Sequence, residues 1–156
     1  MIRSLDPGDA RSVLELEEEI FGPEAWSYQA VSEELGSPWA DYRGMFDEDG
    51  ALIAYGGIKG EESGDLMTLA VASHRRREGR ARRLLTDLLT RATKRGMAAI
   101  FLEVRASNLG AQMLYRDAGF EALRLVPGYY RTPPEDAVSM MLTLPTPPPQ
   151  PPSQEV

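Results

Sequence analysis

The chain has 156 residues, of which 42% are hydrophobic and 26% charged, and its formal net charge is −7. This length suits one domain with its own hydrophobic core, and no apolar run approaches the ~20 residues that cross a membrane. The negative charge argues against general binding to nucleic acid, which needs a basic surface. The absence of cysteine excludes a thiol nucleophile and a disulfide framework, and a single histidine, His74, leaves no histidine cluster for a metal.

The expected compartment follows from two of these features. The first residues contain no apolar stretch of the kind that serves as a secretory signal. The lack of cysteine fits a reducing environment. We therefore expect a cytoplasmic protein without a membrane partner.

Two helices are predicted near the start of the chain. Asp9 stands as an N-cap before apolar residues at helical spacing, and that helix ends near Gly22. Ser27 is placed to cap a second, shorter helix that ends at Gly36.

The remainder alternates between strand and helix patterns. Residues 39–46 and 51–58 are predicted to pair as a hairpin, and 65–72 reads as a central strand because it is apolar after its first residue. The later predicted elements are a helix opened by Gly79 and closed by Gly96, a strand at 98–104, a helix at 108–118, and strands at 120–126 and 137–144. This order predicts a single mixed α/β domain over residues 1–144.

Residues 145–156 form a proline-rich tail with almost nothing to bury. Such a composition predicts a disordered or polyproline-like segment. It could serve as a ligand for a proline-reading domain, but a solvated terminus is the preferred interpretation.

A cluster of arginines surrounds Gly79, within an otherwise acidic protein. A helix N-terminus offers unpaired N–H groups and a positive dipole end, and glycine lets the backbone approach a phosphate closely. The pattern favours a site for a small polyanion. The alternative is an ordinary solvated face, because arginine-rich helix starts are common on protein surfaces.

Several segments together resemble the GNAT family of N-acetyltransferases. The Arg-x-x-Gly-x-Ala pattern at 76–81, between an apolar strand and a leucine-rich helix, is similar to the acyl-CoA loop of that family. The further segments that carry the resemblance are 102–108 (LEVRASN), Leu114-Tyr115, Gly119-Phe120, Trp26-Ser27, Tyr129-Tyr130 and Asp136-Ala137. These are similar to the RimI-type branch, which acetylates the N-terminal alanine of a small-subunit ribosomal protein.

The resemblance implies a GNAT fold, with a central mixed sheet flanked by helices and a V-shaped opening between central strands that admits acetyl-CoA. It implies no metal. The residues it indicates for acetyl-CoA binding are Leu69, Ala70, Val71, Arg76, Arg77, Glu78, Gly79, Arg80, Ala81, Arg82 and Asn108. Backbone N–H groups around residues 69–71 would hold the oxyanion.

Glu103 is the candidate general base. Strand alternation places it on one face with Phe101 and Arg105, away from the apolar Leu102 and Val104. A carboxylate in a cleft can take a proton from an incoming amine, directly or through water. The competing interpretation is a salt bridge with Arg105 at the strand edge.

Tyr115 is the candidate acid. Asn108 can cap the helix that carries it, and Tyr115 lies two turns later on the same face. The resemblance implies that this tyrosine protonates the departing CoA thiolate and that Asn108 contacts the cofactor. The competing interpretation is that Tyr115 packs in the core beside Leu114.

Trp26, Tyr129 and Tyr130 are predicted to wall the peptide site, although each could be ordinary packing. The chain departs from the family pattern at residues 126–128, where basic residues are often found, and in the loop at 21–25. Both departures fall where the substrate peptide should lie.

The predicted reaction is direct acetyl transfer to the α-amino group of a protein N-terminus. An α-amino group has a pKa near 8, so deprotonation near neutral pH costs about 1 kcal/mol, against about 4 kcal/mol for lysine. The alternatives are a GNAT enzyme that acetylates a lysine side chain, a polyamine or another small molecule, and a non-catalytic CoA-binding module. RNA contact through the arginines is a minor option, so no specific nucleic acid is expected.

Overall fold

A computed structural model describes residues 1–22, 25–76 and 78–145. The helices and strands follow one another as β1 (Ile2–Ser4), α1 (Ala10–Phe21), α2 (Tyr28–Leu35), β2 (Ala40–Phe46), β3 (Leu52–Gly60), β4 (Gly64–Val71), α3 (Arg80–Lys94), β5 (Ala99–Arg105), α4 (Leu109–Asp117), β6 (Glu121–Arg131) and β7 (Pro134–Thr143). Short 3₁₀ turns lie at Pro7–Asp9 and Ser73–Arg75.

The strands form one seven-stranded sheet in the order β1-β2-β3-β4-β5-β7-β6. β4 and β5 are parallel, and the other neighbouring pairs are antiparallel. The predicted mixed α/β fold is therefore confirmed, together with the β2–β3 hairpin and the central position of β4.

Each face of the sheet is covered by its own pair of helices. On one face, Leu84 and Leu88 of α3 pack with Ile100 and Leu102 of β5, and α4 joins the same core. On the other face, the second core cluster joins α1 and α2 to Tyr42, Tyr55 and Ala70 of the sheet. Period-two alternation along the strands supplies side chains to both faces.

Local side-chain bonds fix the starts of two of the four α-helices, α2 and α4. The Ser27 hydroxyl accepts from Ala30 N–H at 3.1 Å, and Asn108 Oδ1 accepts from Ala111 N–H at 3.1 Å, as predicted for the two caps. The predicted N-cap position of Asp9 is confirmed, but its side chain forms no hydrogen bond to α1. Its carboxylate accepts from the Asp6 N–H and from Arg3 instead, within a capping box that opens the preceding 3₁₀ turn.

β4 and β5 pair over a short distance only. Gly64 lies opposite Ile100 and Asp65 opposite Phe101, and the pairing ends there although both strands continue. A Cβ on Gly64 would come within 3.2 Å of Ile100 Cδ1 on β5 and within 2.7 Å of Ile58 Cγ2 on β3. Glycine therefore permits the close approach at this narrow end, and the strands open toward their carboxyl ends.

A β-bulge marks the point of divergence. Gly57 of β3 faces Thr68 of β4, whereas the next residue, Ile58, faces Leu66. Met67 is thus an extra residue on β4 that bends the strand. The bend follows directly after the last pair with β5, so the opening is built into the register of the sheet.

The strand predictions differ from the structure at two places. β1 was missed because three residues at the start of the chain carry too short a pattern. β6 extends past its predicted end at Val126 and includes Pro127 and Gly128, because a register shift between Val126 and Tyr130 absorbs this Pro-Gly pair as a bulge. The tyrosine pair therefore lies on a strand.

The domain boundary after residue 144 remains a prediction, since residues 146–156 lie outside the described part of the chain. In the described ranges, no helix has both the length and the apolar character needed to cross a membrane. Those same ranges hold no group of three His, Cys, Asp or Glu side chains arranged for a metal ion.

Candidate active site

A cavity of about 630 Å³ lies between the end of β4, the start of α3 and α4. We name it the Gly79 cavity. The predicted cofactor residues that line it are Leu69, Ala70, Val71, Arg76, Gly79, Arg80, Ala81, Arg82 and Asn108. Glu78 is not among its lining residues and pairs with Arg80, and Arg77 lies outside the described residues.

The start of α3 supplies unpaired backbone donors to the Gly79 cavity. Gly79 has φ +75°, a left-handed conformation that other residues adopt at a cost. The Gly79 carbonyl accepts the Arg83 N–H at 3.1 Å. The N–H groups of residues 80–82 therefore precede the first α-helical donor, and with the helix dipole they favour an anion.

The arginines near this helix start are partly neutralised. Arg82 pairs with Asp117 at 3.0 Å, and Arg80 pairs with Glu78. Arg76 instead donates from Nε to the Val71 carbonyl at 3.1 Å and so ties the loop to the end of β4. Arg80 and Arg82 thus line the cavity and also pair with carboxylates, so the polyanion site stays a prediction.

Tyr115 belongs to the core and to the cavity at once. It is buried, its ring meets Phe120 edge-on at 5.8 Å, and it lines the Gly79 cavity. Burial, with a smaller contribution from Tyr130, raises the pKa of its phenol to about 12. The phenol is therefore protonated at neutral pH and can donate its proton only to a strong base formed close by.

Glu103 is exposed on β5, between the buried Leu102 and Val104 that point to the other face. The competing salt bridge with Arg105 is not formed. Arg105 instead pairs with Glu135 at 3.4 Å. The Glu103 carboxylate therefore lies on the other face of the sheet from α3.

Tyr130 connects the two candidate catalytic residues. Its hydroxyl donates to the Glu103 carbonyl at 3.3 Å, and its proximity contributes to the raised pKa of Tyr115. The Arg105 guanidinium lies 4.1 Å from the centre of its ring, and Tyr129 meets that ring edge-on at 5.0 Å. Sequence analysis missed this role of Arg105, which depends on contacts across the sheet.

A second cavity, of about 330 Å³, lies on the α1 and α2 side of β4. We name it the Glu17 cavity. Two of the predicted peptide-site residues, Trp26 and Tyr130, line it, whereas Tyr129 lies beside Tyr130 and outside the lining. Phe21 lines both cavities, so they are neighbours along β4.

Glu17 is a residue of this region that sequence analysis overlooked. It is only 6% exposed and lies on the face of α1 that carries the buried Val13. Burial raises the pKa of its carboxyl to about 7. The sequence contained a signal for this residue, because a glutamate four residues after Val13 interrupts the apolar face of an amphipathic helix.

The comparisons with known proteins identify the family of the chain. The model of the acetyltransferase (GNAT) family matches residues 10–120. The chain is 37% identical over 145 residues to the N-alpha-acetyltransferase RimI of Mycobacterium tuberculosis, covering 89% of each protein. It is also 37% identical over 146 residues to an uncharacterized protein of Mycobacterium leprae, covering 90% of this chain but only 40% of that longer protein.

A solved structure shows the same overall similarity. The crystal structure of the ribosomal-protein-S18-alanine N-acetyltransferase from Escherichia coli superposes with a TM-score of 0.86 at 27% identity. The superposition covers 96% of this chain and 97% of that protein.

The buried Glu17 carboxyl predicts a pH-dependent stability. Because its pKa rises from 4.5 to about 7 on folding, the unfolded chain releases this proton at lower pH than the folded protein. The free energy of unfolding therefore decreases as the pH rises from about 4.5 to about 7. Glu17→Gln should raise the free energy of unfolding by about 1 to 2 kcal/mol at pH 8, less than the full linkage value because the cavity screens the charge, and by less than about 1 kcal/mol at pH 5.

Urea unfolding of both proteins at the two pH values measures this difference. Glu18→Gln, at the exposed neighbouring position on α1, is the matched control and should show no such pH-dependent gain. A Glu17→Gln protein that is equally or less stable than the parent at pH 8 would contradict the assignment of a strained buried carboxylate.

Proposed function

We propose, from the premise that this chain belongs to the acetyltransferase (GNAT) family, that its substrate is the α-amino group at a protein N-terminus. The chain is an acetyl-CoA-dependent N-acetyltransferase. The proposed substrate in particular is the N-terminal alanine of a small-subunit ribosomal protein. Support comes from the similarity to the Escherichia coli enzyme, whose name specifies that reaction on protein S18.

The Gly79 cavity is the proposed site for acetyl-CoA. The backbone N–H groups at the start of α3 suit the pyrophosphate, and the nearby arginines suit further phosphate charge. Asn108 uses its Oδ1 as the cap of α4, which leaves its amide N–H groups to contact the cofactor. Residues 69–71 line the same cavity, and their backbone is the proposed partner of the thioester carbonyl.

Glu103 is the proposed base. It removes a proton from the substrate ammonium, directly or through a water molecule, and the neutral amine attacks the thioester carbonyl carbon. A C–N bond forms and the C–S bond breaks, so no covalent enzyme intermediate is required. The absence of a bond between Glu103 and Arg105 supports this role, because Arg105 is engaged with Glu135 instead.

Tyr115 is the proposed acid. Its pKa of about 12 keeps the phenol protonated until the thiolate leaves. A thiol in water has a pKa near 8.5, so donation from this phenol to a hydrated thiolate would be unfavourable. The apolar surroundings that raise the pKa of Tyr115 also raise the proton affinity of a thiolate released beside it, which reduces the mismatch.

The observation that carries the proposal is the opening between β4 and β5. Residues 69–71 of β4, on one side of it, line the Gly79 cavity, and β5, on the other side, carries Glu103 two residues beyond its last pair with β4. Glu103 itself is outside the lining of both cavities. Tyr130 joins Glu103 to the surroundings of Tyr115. A thioester entering from the Gly79 cavity would thus meet a base and an acid that belong to different elements.

The compartment proposed for this reaction is the cytoplasm, in keeping with a chain that lacks cysteine.

Glu103→Gln and Tyr115→Phe should each reduce kcat by about a hundredfold or more, because each removes one proton-transfer group. The affinity for CoA should change little, since neither side chain is assigned to the phosphates. Steady-state kinetics and calorimetric titration with CoA measure the two quantities. Asp65→Asn and Tyr28→Phe, at exposed positions, are the matched controls and should retain turnover. A near-normal kcat in both Glu103→Gln and Tyr115→Phe would refute the assignment.

The class of amine is tested with one peptide prepared in two forms. The peptide begins with alanine and contains an internal lysine, and its N-terminus is either free or formylated. We expect acetylation of the free form alone, at the α-amino group, because that amine is the more easily deprotonated. Tandem mass spectrometry locates the acetyl group. Acetylation of the lysine in the blocked peptide would indicate a side-chain enzyme, and no thioester consumption with any amine would indicate a non-catalytic CoA-binding module.

A further inference from the structure

The Glu17 carboxylate has no assigned task in acetyl transfer. It lines the Glu17 cavity at 6% exposure. Among the described residues, no hydrogen bond or ion pair is formed with this carboxylate. Every fully enclosed polar side-chain atom in the described part of the chain has a partner. The Glu17 oxygens are therefore not fully enclosed, and the cavity is the open space beside them.

The other charged group in the lining is already engaged. Glu34 accepts from the Tyr42 hydroxyl at 2.9 Å and from Lys59 Nζ at 3.0 Å. Lys59 is 37% exposed and offsets the charge of Glu34 at the edge of the cavity. Lys59 is not in the lining itself, but it offsets the charge of Glu34, so the charge of an ionised Glu17 has no opposite charge among the lining residues.

The remaining walls suit the body of a long cationic side chain. They include the rings of Trp26, Tyr42, Tyr55 and Tyr130. Aromatic faces attract cations, and apolar walls accept the methylene stem of lysine or arginine. A volume of about 330 Å³ accommodates such a side chain. A purely apolar side chain would leave the Glu17 charge buried without a partner.

The Glu17 cavity lies within reach of the proposed reaction centre. It touches β4 at Met67 and Thr68, and the Gly79 cavity begins at the next residue, Leu69. Successive strand residues rise about 3.3 Å, and one residue of an extended peptide spans about 3.5 Å. Tyr130 lines the cavity while bonding to the Glu103 carbonyl. If the amine of a peptide lay beside Glu103, the side chain of the first or second peptide residue would therefore reach the Glu17 cavity.

We propose that Glu17 determines substrate specificity by pairing with a lysine or arginine side chain carried by the first or second residue of the acetylated peptide. This inference rests on the proposed function, since it requires a peptide in the cleft. A substrate with a neutral side chain at that place still reacts, but it leaves the carboxylate unpaired. The enzyme therefore discriminates between N-termini by charge close to the amine.

The test is a comparison of kcat/KM for free N-terminal peptides that differ at one position. The set contains Ala-Lys, Ala-Leu, Lys-Ala and Leu-Ala starts followed by the same neutral sequence. The parent enzyme should prefer the basic member of at least one pair by about tenfold or more, the size of a charge-assisted pair. In Glu17→Gln this ratio should fall to near one while turnover of the neutral peptide is retained. Glu18→Gln, the exposed neighbour on α1, should keep the parental ratio.

A second measurement uses the parent enzyme alone and does not depend on the folding of a variant. Since the pKa of the Glu17 carboxyl is raised to about 7, the basic-to-neutral ratio should increase between pH 6 and pH 8 as that carboxyl ionises. The titration of the substrate amine cancels in the ratio. The groups that also face the cavity are Glu34 with its partner Lys59, and the phenols of Tyr42, Tyr55 and Tyr130.

The outcomes separate the two proposals. Equal kcat/KM for basic and neutral peptides in the parent enzyme, an unchanged preference in Glu17→Gln, or a ratio that is flat with pH would overturn the role of Glu17. Each of these results would leave N-terminal acetylation intact, because the peptides are still turned over. Failure to acetylate any peptide with a free N-terminus would instead remove the proposed function itself.

Discussion

The early separation of β4 from β5 is the constraint on which the rest of the site depends. Two paired positions hold the strands together, and the bulge at Met67 then bends β4 away. Beyond it, the β4 edge that faces β5 is no longer paired with that strand. Such an edge costs free energy unless its polar groups find partners. An opening with exposed backbone donors is thus suited to a ligand that carries acceptors.

The proposed site draws on elements that lie around this opening. The start of α3 contributes backbone N–H groups, α4 contributes Tyr115, and β5 contributes Glu103. Tyr130, whose ring lies beneath the Arg105 guanidinium, donates to the Glu103 backbone carbonyl and lies near Tyr115. In the proposed division of roles, the Tyr115 phenol, whose raised pKa keeps it protonated at neutral pH, is the donor and the Glu103 carboxylate is the acceptor. This division requires no metal and no nucleophilic side chain.

Much of this arrangement could be predicted because it is local in sequence. Ser27 and Asn108 cap helices through bonds to residues three positions away, and the glycine before α3 is recognisable from its surroundings. The bulge at Met67 could not be predicted, because it is defined by the register against β3. The same holds for the contacts of Arg105, whose partners Thr132, Pro133 and Glu135 lie in the β6–β7 hairpin, far from it in sequence. For Glu17, the interruption of an apolar face was visible, but its cavity depends on how the α1 side packs on the sheet.

The central claim is that the opening between β4 and β5 brings the thioester between Glu103 and Tyr115. The most direct measurement is a crystal structure of the protein with bound CoA. The account predicts the pyrophosphate at the N–H groups of residues 80–82 and the CoA sulfur within hydrogen-bonding reach of the Tyr115 hydroxyl, with the Glu103 carboxylate on the other side. A sulfur atom that lies elsewhere, with Tyr115 and Glu103 separated from it by other side chains, would contradict the account.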